Sequence, residues 1–277
     1  MKAFCELVKK GITSKYLNAL YNKAHTGGGV KINDFEFNRT IQDGEGDNGD
    51  IHIILNNNHH CLFGIISHKN PSILLLENFS YLKNCNITRN LEKDTGTKRM
   101  MFSFIQYVAE HEPLVKTIKL SDTSSFPCND DIKILNYKTY LFKYGSGYYA
   151  HHFGFKLNTK YIAKHENNMK IAKILIIDKT KFIEYLATKP TILQNESNNI
   201  ADFLSLLHDD GKLVSSFIST FRCHPQLCNI YRAYLDFIFK KYELDDLNGA
   251  NYAANITDLI AFNKIKINLI NLINLIN

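Results

Sequence analysis

Two short stretches of the chain carry side chains whose types and spacing suit chemistry. The first, EKDTGTKRMM, sets Lys93, Thr95, Gly96, Thr97, Lys98 and Arg99 at the head of an amphipathic run. A helix start offers unpaired backbone N–H groups and the positive end of a dipole, and a glycine lets an anion approach that backbone closely. With three cations beside it, the stretch suits a phosphate group. The second, GYYAHHFGFKL, places Tyr148 and Tyr149 ahead of Gly154 and Phe155. A phenol can hand a proton to a departing anion. Glu77 is the one carboxylate of an apolar strand-like run, where partial burial would raise its pKa and suit it to accept a proton.

Other constellations carry less. Cys223, His224 and Cys228 form CHxxxC, and His59 with His60 and His151 with His152 are paired. A structural zinc site needs four ligands in two tight pairs, and no second such pair stands near, so no metal is expected. DTGTKR lacks the GK[ST] ending of a nucleotide P-loop, and neither a GxSxG elbow nor a Ser/His/Asp arrangement occurs.

The elements that must position these residues follow from periodicity. Residues 2 to 24 space Leu7, Val8, Ile12, Tyr16, Leu17 and Leu20 as a helix, which Gly27 to Gly29 stop. Val30 to Thr40 reads as a strand, Ile51 to Leu55 and Leu62 to Ser67 as a hairpin, and Ser72 to Leu82 as a central strand. Met100, Met101, Phe104, Ile105 and Val108 predict a helix that ends near His111, followed by a short strand at Val115 to Leu120. A helix over Asp130 to Tyr144 and a flexible loop at Gly145 to Gly147 then lead into the Tyr148 to Leu157 segment. Beyond residue 158 the pattern turns mainly helical, apart from a strand at Lys173 to Ile177. Helix-spaced apolar residues recur over Ile200 to Leu207, Leu213 to Phe221 and Leu227 to Leu244, before a period-three INLINLIN tail.

This order of hairpin, central strand, Gly-containing loop, helix, strand, helix and aromatic Gly-Phe ending resembles the GNAT acyltransferases over residues 50 to 157. Their loop of pattern [QR]xxGx[GA] cradles the coenzyme A pyrophosphate. With Gly96 at its first glycine, Lys93 takes the Gln/Arg position and Lys98 the second small position; with Gly96 at its second, Asp94 takes the first. Their FYxxxGF ending supplies a tyrosine that can protonate the coenzyme A thiolate. With Gly154 and Phe155 aligned that column holds Ala150, and one inserted residue restores Tyr149, with Tyr148 the second candidate. The resemblance implies direct acetyl transfer from acetyl-CoA to an amine, with Glu77 as a base and backbone N–H groups around Asn78 to Tyr81 holding the thioester oxygen. A small amine or aminosugar is favoured as acceptor.

The expected fold class is therefore α/β, an α+β mixed sheet flanked by helices with a mainly helical C-terminal region. The expected division is a core over residues 1–158 and the helical region over 159–277. The alternative is a non-catalytic scaffold of the same fold, whose C-terminal helices bind a protein or nucleic-acid partner or a second copy of the chain. A net charge of +6, with basic and acidic residues interspersed, suits a polyanionic small ligand and does not indicate nucleic acid. Six scattered cysteines, no signal-like start and no apolar run of membrane length predict free thiols in a cytoplasmic protein. The heavy use of Asn, Ile, Lys and Tyr is what an AT-rich coding sequence gives, such as that of a large DNA virus.

Overall fold

The computed structural model describes residues 29–33, 35–41, 49–56, 61–80, 93–129, 131–221 and 224–264. The expected N-terminal helix, most of the loop between the central strand and the following helix, and the INLINLIN tail lie outside them. The chain divides into two compact units, one of residues up to 119 together with those from 255 onward, the other of residues 120–254.

The first unit is built on an antiparallel meander of β1 (Val30–Ile32), β2 (Phe35–Ile41), β3 (Ile51–Leu55), β4 (Leu62–Ile66) and β5 (Ile73–Phe79). The single strand expected over residues 30 to 40 is a hairpin, because Asn33 takes φ 54° and turns the chain back on itself. Asparagine tolerates that left-handed conformation better than most side chains. The expected β3/β4 hairpin forms, with Ile51 opposite Ile66. In β5 the pairing steps from Asn78 opposite Phe63 to Leu76 opposite Gly64, which makes Glu77 the extra residue of a β-bulge.

Helix α1 (Lys93–His111) buries Met100, Met101, Phe104, Ile105 and Val108, the stripe the spacing predicts. Gly64 makes room for it, since a Cβ there would lie 3.4 Å from Phe104 Cζ and 3.3 Å from Leu74 Cδ2. The Phe37 ring packs 5.0 Å from Tyr107 and 6.1 Å from Phe104. At the helix end Arg39 Nε donates to Glu112 Oε1 at 3.1 Å, both side chains almost fully buried. Strand β6 (Thr117–Asp122) then starts beside the start of β5, with Lys116 N and Thr117 N donating to Ser72 O at 2.8 and 3.1 Å. The two neighbours therefore run parallel, joined through a helix as parallel strands require.

The second unit continues the chain along β6 and has strand order β6-β10-β9. It comprises the hairpin of β7 (Ser125–Pro127) and β8 (Lys133–Leu135), α2 (Asn136–Tyr144), α3 (Tyr148–Phe153), β9 (Lys156–Leu157), α4 (Thr159–Ile174), α5 (Lys179–Ala187), α6 (Pro190–Asn195), α7 (Ser197–Leu206), α8 (Val214–Thr220), α9 (Cys228–Lys241) and β10 (Ala250–Asn255). The helix expected from residue 130 begins only at Asn136, its first part being β8. The strand expected at Lys173 to Ile177 is the end of α4 followed by one bridge, Ile176 to Leu213. The α9 helix centres the helical packing: Tyr234 lies 5.0 Å from the Phe182 ring, 5.6 Å from Phe203 and 5.7 Å from Phe217. Because β9 pairs with β10, at Tyr252 opposite Leu157, the sheet draws on both sides of residue 158 and the helices are an insertion between paired strands.

The cysteines correct an expectation. Cys128 and Cys228 are joined by a disulfide, and Cys61 is disulfide-bonded too, so these three are not free thiols. Among the described residues no helix is long and apolar enough to cross a membrane. The Cys128 to Cys228 link spans 100 residues of sequence, and closing a loop of that size removes much of the unfolded chain's freedom. Cys228→Ser should therefore lower the unfolding free energy by roughly 2–5 kcal/mol in denaturant melts without reductant. With excess reductant the variant and the parent should melt together. Equal stability under both conditions would show that the link carries no folding energy.

Candidate functional site

In the first unit the phosphate-suited stretch opens α1. Gly96 is buried in the first turn of that helix, Thr97 and Lys98 are half-buried, and Arg99 is exposed. The helix begins at Lys93, three residues ahead of this glycine. The backbone donors without a partner inside a helix are those of its first turn, here around Lys93, Asp94 and Thr95. Glu77 points to the exposed face of β5, without the partial burial that would suit it to accept a proton. What the strand adds at this position is the bulge, which takes the extra residue out of the ladder and re-aims the backbone beside it.

In the second unit GYYAHHFGF folds as α3, stopped by Gly154 at φ 82°, whose N–H returns to Ala150 O and Tyr149 O. Only a residue tolerant of the left-handed region ends a helix this way, which explains the glycine before Phe155. Tyr148 and Tyr149 are both buried. The Tyr149 ring lies 6.1 Å from Phe155 and 6.4 Å from Tyr252, while Tyr148 packs 5.4 Å from Tyr140 and 4.8 Å from His152. Burial, and secondarily the charge of Asp122, pushes the Tyr149 hydroxyl well above the ordinary phenol value. Tyr149 therefore stays a neutral hydrogen-bond donor.

Asp122 is the residue the sequence reading missed. It ends β6 with 2% of its surface exposed. Its Oδ1 accepts from Ser124 N at 3.0 Å and from Ser124 Oγ at 2.5 Å, while its buried Oδ2 has no hydrogen-bond partner among the described residues. Gly147 is a glycine because a Cβ there would fall 2.2 Å from the Tyr252 hydroxyl and 3.6 Å from Asp122 Oδ2. Asp122 raises the hydroxyls of Tyr149, Tyr252 and Tyr137 as a nearby charge, second to burial for the first two. A carboxyl and several phenols thus share one buried region of this unit. Nearby, Tyr137 Oη accepts from Asn168 Nδ2 at 3.0 Å, and Asn168 also bonds Asp245 O at 2.8 Å and Asp245 N at 3.0 Å. A signal for Asp122 was present: Ile118, Leu120 and Asp122 share one face of a period-two strand, and that face is buried.

The predicted residues therefore fall into two sets. Lys93 to Arg99 and Glu77 belong to the first unit, and Tyr148 and Tyr149 to the second with Asp122. No family model matches the chain, and no curated protein and no solved structure matches it either.

Burial pushes the Asp122 carboxyl above its usual 3.8, and the Ser124 hydrogen bonds oppose this only in part. The folded state then holds this proton to higher pH than the unfolded chain does, so stability from this group is full below pH 3.8 and is lost as pH rises through the folded pKa. Asp122→Asn keeps the acceptor for Ser124 and removes the ionisation. In denaturant melts across pH its stability should gain on the parent as pH rises above about 4. A gap between the two that stays constant with pH would contradict the burial argument.

Proposed function

We propose that the chain is an acetyl-CoA-dependent N-acetyltransferase of the GNAT kind, acting on a small amine or aminosugar. The observation that carries this reading is the order bulged β5, α1, parallel β6, with a Gly-Thr sequence and three basic residues at the head of α1. A helix N-terminus there would hold the pyrophosphate on Lys93, Thr95, Gly96, Thr97, Lys98 and Arg99. The bulge at Glu77 frees backbone of the central strand to hold a thioester oxygen. The amine attacks the thioester carbon directly, so no covalent enzyme intermediate is needed. Its proton passes to a base, Glu77 or water; Tyr149, with Tyr148 second, is the second unit's candidate for the acid that protonates the departing thiolate. The location that goes with this activity is cytoplasmic; because thiols there are kept reduced, the Cys128 to Cys228 link would need a local oxidant.

A second reading has its own support. Tyr149 is only 6% exposed and Gly96 is buried, which favours a non-catalytic scaffold whose helical region binds a partner. The exposed Ile174, Ile176 and Leu213 would suit a homodimer or a protein partner.

Calorimetric titration with acetyl-CoA tests the cofactor placement, and turnover separates the two readings. Binding is expected, and Gly96→Val in a folded protein should weaken it at least tenfold, roughly the loss of a favourable backbone approach. Arg99→Glu, on an exposed position, checks the same placement without touching the core, and unchanged affinity in both would refute it. Tyr149→Phe keeps the ring and removes the hydroxyl, so binding should persist while turnover of a small amine falls by roughly 10². If Tyr148→Phe carries the loss instead, the acid is one residue earlier. Binding without turnover on any amine class would favour the scaffold.

A further inference from the structure

A cleft of about 190 Å³ opens between β7, α2, α8 and α9 of the second unit. From α2, Tyr140, Lys143 and Tyr144 line it from neighbouring positions on one helical face; Phe126, Phe221 and Tyr231 complete its rings. We infer that this cleft binds a small, single-ring aromatic carboxylate. This site is independent of the acetyltransferase reading, since its residues are separate from those assigned to acetyl-CoA and acid catalysis.

The rings are held before any ligand arrives. Phe221 stacks on Tyr231 at 4.5 Å between centroids, and Tyr144 stacks on His151 at 3.9 Å. The Tyr140 hydroxyl meets His152 Nε2 at 2.6 Å. On the other side of the cleft, the Cys128 to Cys228 disulfide and the bond from Asn129 Nδ2 to Pro225 O at 3.0 Å tie the β7/β8 turn to the start of α9. Prearranged flat walls reduce the ordering cost of binding a flat ligand.

Size and charge narrow the ligand further. A cavity of about 150 Å³ takes a benzene ring, whereas drug-sized ligands need about 300–1,000 Å³. One ring with a small substituent fits 190 Å³, and coenzyme A does not. Among the described residues none of the lining side chains is acidic, and Lys143 is the one cation. Its Nζ stands 5.4 Å from the Tyr144 ring centroid and forms no ion pair with the described residues. A carboxylate on the ring would meet that ammonium at the rim while the ring stacks inside.

Saturation-transfer NMR on the full chain with benzoate, benzylamine and cyclohexanecarboxylate tests this. Benzoate should bind with a Kd on the order of 1 mM, as suits nine non-hydrogen atoms, and at least fivefold more tightly than the other two. Lys143→Met keeps the aliphatic stem and should weaken benzoate at least fivefold. Tyr144→Ser, at a position 42% exposed, should also weaken it without disturbing the core. Benzylamine or cyclohexanecarboxylate binding as well as benzoate would overturn the inference. So would no benzoate signal at about 10 mM, or affinity unchanged in both variants.

Discussion

Pairing of β9 with β10 is the constraint on which the second unit depends. The two strands meet at only two register positions, Lys156 with Ala253 and Leu157 with Tyr252, extended by Asn158 N donating to Asn251 O at 2.9 Å. Between them runs the whole helical insertion, so the pairing closes a long loop, a cost that grows slowly with loop length. The helices repay it through the aromatic packing around Tyr234. Once closed, the loop lets β10 reach β6, with Gly249 N on Asp122 O at 2.7 Å, and brings the Tyr252 hydroxyl against Gly147. The buried polar region exists because two distant strands meet.

That region holds two contrasting kinds of buried polar group. Asn168 is fully buried and uses its amide on Tyr137 and on both backbone groups of Asp245, which is how a buried amide ordinarily avoids a desolvation cost. Asp122 is as deeply placed, yet one of its oxygens is left without a partner among the described residues. An unsatisfied buried acceptor costs about 1–3 kcal/mol. The turn at Ser124 accounts for Oδ1 and leaves Oδ2 unexplained by the fold alone. Sites that sacrifice local consistency are where function is usually found.

Legibility followed interaction range. The α1 stripe, the β3/β4 hairpin and α9 were readable because each is set by local periodicity, and tertiary packing used the same faces. The turn at Asn33 was missed since the apolar residues on either side continue a strand-like pattern across it. A bulge changes pairing without changing composition, so nothing in ILLLENF marks Glu77 as the extra residue. Ile174 to Ile177 looked like a strand because four apolar residues in a row fit either state; α4 claims the first and a single bridge the third. The Cys128 to Cys228 link joins residues 100 apart, a pairing that spacing cannot reveal. Of the candidate residues, the place of Gly96 at the head of a helix was legible, while α3 under Tyr148 and Tyr149 and the burial that decides what each can do were not.

Burial also sets what the tyrosine pair can contribute. A desolvated phenol keeps its proton at any physiological pH, so Tyr149 gains nothing from titration and acts only as a neutral donor. A neutral donor helps a leaving thiolate in proportion to how closely that thiolate reaches it. The rings of Phe153, Phe155 and Tyr252 around Tyr149 fix its hydroxyl in one place, which favours positioning and limits access together. Gly147 relieves the crowding at one point only, where the missing side chain leaves Tyr252 and Asp122 side by side. Access at that point, more than proton affinity, therefore separates an acid from a packed ring.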